Sequence, residues 1–109
     1  MAHDFATQKA ETFWVYRDLQ DRHGLPESAD IDYFLVPDAS KADWRPLADV
    51  LQRDGFACGW IEDGDDDPYL QASLPDQAIS AEAIWVGEEV ATRHALSHRF
   101  RPDGWGIQG

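Results

Sequence analysis

His94 and His98 stand four residues apart, a spacing that brings two imidazoles to one side of a helix and could seat them on one metal ion. In the hydrolytic version of that spacing a glutamate directly follows the first histidine. Here Ala95 follows, and no cysteine lies nearby to complete a structural site. Imidazoles are also favoured near a helix C-terminus by the helix dipole, so no metal is assigned to them. A second cation motif begins at Asp63, Asp65 and Asp67, which alternate as a calcium loop does. Pro68 then stands where the turn glycine belongs and Leu74 where the bidentate glutamate belongs, so the run reads as a solvated hairpin tip. For nucleophilic chemistry there are Cys58, expected inside a strand as a buried structural residue, and five serines with no recognisable motif around them. Gly104-x-Gly106-x-x-Gly109 has the form of a phosphate loop, but no helix follows it. The expectation is a protein without catalytic residues, metal or cofactor.

Charge is the more informative chemistry. Twenty-one Asp and Glu stand against nine Lys and Arg, giving a net charge of -12. Nucleic acid and anionic membrane surfaces are bound through clustered Lys and Arg, so direct binding to either is not expected. From Asp54 through Thr92 there is no Lys or Arg, while ten carboxylates fall in that stretch. The expected binding surface is an acidic face centred on Glu62, Asp63, Asp65, Asp66 and Asp67, suited to a basic protein segment. The competing reading is that the charge serves solubility alone and that folding mixes these carboxylates with Arg17, Arg53, Arg99 and Arg101. Trp105, held between two glycines, either packs over the end of a sheet or is displayed to a partner, and the area a tryptophan buries favours packing.

These residues need a scaffold. The 109 residues allow one domain, and 43% hydrophobic residues with five Trp and five Phe supply a core. Apolar positions Ala6, Ala10, Phe13, Trp14, Tyr16 and Leu19 predict an amphipathic helix from about 4 to 23, stopped by Gly24 and Pro26. Ile31 to Val36 predicts a central strand, closed by Pro37. A second helix follows, capped by Asp43 or Ser40 and ended by Gly55, with Pro46 in its first turn favouring Asp43 as the cap. Phe56 to Glu62 and Tyr69 to Leu74 predict a hairpin. Ser80 opens a third helix whose small face, Gly87, Ala91 and Ala95 beside Ile84, would let it lie close to a sheet. Arg99 to Trp105 predicts the last strand. The order after the first helix is βαββαβ, the ferredoxin-like arrangement of a four-stranded antiparallel sheet with two helices on one face. The extra N-terminal helix is then expected to bury Phe13 and Trp14 against an end of that layer or against another copy, which would make a homodimer.

Asp103-Gly104-Trp105-Gly106, reached from a helix through one short strand, resembles the closing signature of the regulator of ribonuclease E activity B family. The strand Asp32-Tyr33-Phe34-Leu35-Val36-Pro37, the helix ending Asp54-Gly55-Phe56, the hairpin and the long helix follow in the order found there, so the resemblance runs over nearly the whole chain. The resemblance implies a ferredoxin-like, non-enzymatic protein that binds the arginine-rich, non-catalytic region of ribonuclease E and lowers its activity toward RNA. It implies carboxylate–guanidinium pairing at the contact, in keeping with the charge. Better-known members carry an acidic tail beyond the Asp-Gly-Trp motif, whereas this sequence stops at Gly109. A second reading of the same fold is a small dimeric module that binds a small molecule between sheet and helices, walled by Trp60, Tyr69 or Trp85. One cysteine, no basic-apolar leader at Met1-Ala2-His3-Asp4 and no long apolar run lead to the expectation of a cytoplasmic protein.

Overall fold

The computed structural model describes residues 3–62, 64 and 67–108. Helix α1 (Phe5–His23) opens on Asp4, whose carboxylate accepts from the Thr7 amide at 3.0 Å and the Thr7 hydroxyl at 2.7 Å. It ends at Gly24, which takes a φ of 67°. Helix α2 (Trp44–Arg53) is capped by Asp43, which accepts from the Arg45 amide at 3.0 Å. Its far end closes with Phe56 N–H on the Leu51 carbonyl and Gly55 N–H on that of Gln52. That double bond needs a left-handed residue at position 55, and Gly55 supplies it at a φ of 96°. Helix α3 (Ala81–Ser97) starts from Ser80, whose hydroxyl accepts from the Ala83 amide at 3.0 Å.

Four strands, β1 (Ser28–Pro37), β2 (Ala57–Ile61), β3 (Tyr69–Ala78) and β4 (Phe100–Gln108), form one antiparallel sheet in the order β2-β3-β1-β4. Together with three helices this is an α+β fold. The strands outrun their sequence signals. Strand β3 passes Leu74 because a register shift around Pro75 and Asp76 lets pairing resume as Ala29 with Gln77 and Ser28 with Ala78. Asp76 takes a φ of 53° there, and its amide donates to the Asp30 carboxylate at 3.0 Å.

Strand alternation sends Ile31, Tyr33 and Leu35 of β1, with Leu70 and Ala72 of β3, to the helix-covered face, where they meet Leu47 and Leu51 of α2 and Ile84, Ala91 and Ala95 of α3. All of these are buried. As expected from its small residues, α3 lies close to the sheet, with Gly87 against Tyr33.

Helix α1 does not bury Phe13 and Trp14 against an end of the sheet layer, the first of the two placements expected for them. Trp14 is 65% exposed, and Phe13 is only half-buried, with the Lys9 ammonium 5.6 Å above its ring. The helix turns the row Phe5, Gln8 and Thr12 toward α3 instead. Phe5 meets Trp85 edge to face at 6.5 Å, and Gln8 and Thr12 hydrogen-bond to Glu88 and Thr92. Polar complementarity across the seam outweighs the apolar stripe, because the carboxylate on α3 must be paired once it leaves water.

Candidate functional site

The Asp-Gly-Trp motif acquires a physical meaning in β4. Tyr33 pairs with Trp105 and Leu35 with Pro102, so two residues of β4, Asp103 and Gly104, oppose the single residue Phe34. This is a β-bulge, with Gly104 at a φ of 101°. The extra residue restores Trp105 to the helix-covered face, where it packs, half-buried, against the core. The favoured expectation for Trp105 was packing, and this is its position. The indole is not wholly withdrawn, however. With Gly104 and Pro102 it walls a cleft of about 450 Å³ whose other side is α1 and its cap, contributed by Asp4, Thr7, Gln8, Glu11, Thr12 and Val15.

Glu88 of α3 also borders this cleft and is only 6% exposed. Thr12 donates its hydroxyl to one carboxylate oxygen, and the Gln8 amide donates to the other at 3.1 Å. The same Gln8 amide reaches the Thr92 hydroxyl at 3.0 Å, and its oxygen meets His3 Nε2 at 2.7 Å. Burial raises the Glu88 pKa above the ordinary carboxylate value; the hydrogen bonds from Thr12 and Gln8 pull it back, and the Glu11 charge adds to the rise. Sequence reading missed Glu88 as a site residue. The signal was present: Glu88 lies four residues from both Ile84 and Thr92, so it falls on the buried side of α3.

The acidic hairpin expected as the binding surface is described at its two shoulders. Glu62 and Asp67 are exposed where β2 and β3 meet, while Asp63, Asp65 and Asp66 lie outside the described residues. Glu62 is held in place, because the Trp60 indole N–H donates to its carboxylate at 2.7 Å. Trp60 in turn stacks on Trp44 with ring centroids 5.7 Å apart, and the Arg45 guanidinium covers Trp44 at 5.1 Å. Asp67 borders a groove of about 740 Å³ that also takes in Asp38, Asp103, Tyr69 and Arg101. The cation there, Arg101, stands 3.7 Å from Asp38.

The long acidic stretch is not one face. Glu88 is buried, Glu89 pairs with Arg93 at 3.2 Å, and the Asp54 carboxylate meets His94 Nε2 at 2.6 Å. Elsewhere arginines pair with carboxylates of their own helix or its cap, Arg22 with Asp18, Arg45 with Asp43 and Arg53 with Asp49. These pairs engage Arg22, Arg45, Arg53 and Arg93 away from the hairpin end, where Arg99 is exposed beside Asp38, its carbonyl accepting from the Asp38 amide at 2.8 Å.

The histidine pair does not converge on a shared point. His94 is engaged by Asp54, and His98 Nδ1 meets the His94 carbonyl at 2.8 Å. The trio Trp60, Tyr69 and Trp85 is not brought together either. Trp60 pairs with Leu70 and Tyr69 with Ile61, which puts the two rings on opposite faces of the sheet, and Trp85 is buried beside Phe5. The space between sheet and helices holds the packed core. No helix among the described residues is long and apolar enough to cross a membrane. In comparisons with known proteins, no family model and no curated protein matches the chain.

Proposed function

We propose that this chain is a non-enzymatic, acidic regulatory protein of the cytoplasm that binds a basic protein segment through the hairpin end of its sheet. The reading is carried by one observation: Asp38, Asp67 and Asp103 line one groove together with Arg101, and Glu62 stands exposed at the same end of the sheet. Such a surface attracts guanidinium groups over a distance and can pair with them on contact. The strand order β2-β3-β1-β4, with α2 and α3 against one face, supports a ferredoxin-like assignment. The bulge built by Asp103-Gly104-Trp105 gives a structural reason for the motif that resembles the regulator of ribonuclease E activity B family. On that resemblance the basic segment belongs to the arginine-rich region of a ribonuclease.

The test is titration of an arginine-rich peptide from such a nuclease at low and raised salt, against the native chain and a Glu62→Gln/Asp67→Asn variant. Binding that weakens with salt and weakens again in the variant is expected. Absence of binding at low salt, or binding indifferent to salt, overturns the reading.

A further inference from the structure

The cleft between α1 and β4 combines three features that a general acidic surface lacks. It is concave and, at about 450 Å³, within the size range of small-ligand pockets, which runs from roughly 300 to 1,000 Å³. One wall is the Trp105 indole, placed there by a glycine bulge, and bulges recur beside binding sites because they re-aim a side chain. Its inner end holds the carboxyl group of Glu88, buried and fixed by Thr12 and Gln8, while Glu11 lies exposed at the rim. Each Glu88 oxygen accepts one bond from the protein, and a carboxylate offers about four lone-pair sites, so accepting capacity remains.

A tryptophan and a fixed carboxylate lining one cleft suit a flat cation with several in-plane donors. A guanidinium stacks on tryptophan and pairs with a carboxylate in fork geometry, whereas an ammonium is a more strongly hydrated point charge. We propose that this cleft is a pocket for a guanidinium group, seated against Trp105 and hydrogen-bonded to Glu88 and Glu11, and that its occupant is an arginine side chain of a partner protein. The choice of a protein-borne arginine rests on the function proposed above; the guanidinium chemistry rests on the cleft alone.

Calorimetric titration at low salt, with agmatine as the free guanidinium and a short arginine peptide with its lysine counterpart, separates the sources. The arginine peptide is expected to saturate, to bind more tightly than agmatine and to exceed the lysine peptide several-fold. Glu88→Gln should weaken both guanidinium probes by at least about tenfold, the loss of one charge-assisted hydrogen bond. Glu11→Gln, at an exposed position, should weaken them by a smaller factor and guards against a folding defect in the first variant. Glu62→Gln with Asp67→Asn should leave agmatine binding unchanged even if peptide binding falls, so the pocket and the hairpin surface fail separately. Agmatine binding as tight as the peptide overturns the protein-borne source. No saturable binding of either probe, or binding unaltered in folded Glu88→Gln and Glu11→Gln, overturns the pocket.

Discussion

Gly87 of α3 lies directly against the phenol of Tyr33, whose hydroxyl donates to the Ile84 carbonyl at 2.7 Å. A Cβ on Gly87 would meet that hydroxyl and would come within 2.8 Å of Leu74 Cδ1. Both neighbours are packed, so neither can simply swing aside. Gly87→Ala should gain about 1 kcal/mol of helix propensity and lose more to overpacking, which costs roughly 1–3 kcal/mol. A lower Tm by thermal denaturation is the expected result, and the loss should shrink in a Tyr33→Phe background, where the nearest clashing atom is gone.

Glu88 makes stability depend on pH in a direction opposite to that of a salt-bridged carboxylate. Burial raises its folded-state pKa above the unfolded one, so in mild acid the folded chain holds a proton that the unfolded chain has released. Stability contributed at this site is therefore fully present below the unfolded pKa and is lost as pH rises through the folded pKa. Glu88→Gln should flatten that part of the stability–pH profile and give a higher Tm than the native chain at neutral pH.

Cys58 is half-buried on the core side of β2, and burial pushes its thiol up to about 11. At pH 8 only about one molecule in a thousand then carries a thiolate, against roughly one in four for a free cysteine of pKa near 8.5. Reaction with a disulfide reagent should be slow in the folded protein, by a hundredfold or more, and should reach the ordinary rate in denaturant.

Trp105→Ala removes a half-buried indole that touches the core. Full burial of such a ring is worth roughly 3–5 kcal/mol on truncation, so about 2 kcal/mol is expected here, read from urea unfolding. Trp14→Ala, at a ring 65% exposed, should change stability by less than about 0.5 kcal/mol.

The helices were legible because their end signals are local. Asp43, Ser80 and Gly24 each perform the capping role that their residue type predicts. The four strands and their antiparallel sheet followed from counting elements, but strand lengths did not, since the pairing of Ser28 and Ala29 beyond Pro75 depends on a bulge that only the partner strand reveals. The docking of α1 on α3 was not legible for a different reason. Its contact row contains Gln8 and Thr12, which no hydrophobic periodicity detects, and their pairing with Glu88 is long-range. The cleft was invisible on the same ground: Trp105 was noticed as a residue, but the opposite wall comes from α1, at the other end of the sequence.

The bulge at Asp103 and Gly104 has an effect reaching past the pocket wall. Strand β4 is one of the two outer margins of the sheet, β2 being the other, and an unpaired margin invites further chains to add on. Pro102 has no amide hydrogen to offer a ladder, and the residue inserted beside it breaks the regular spacing an incoming strand must match. The kink that aims the tryptophan inward thereby also discourages runaway self-association along that border.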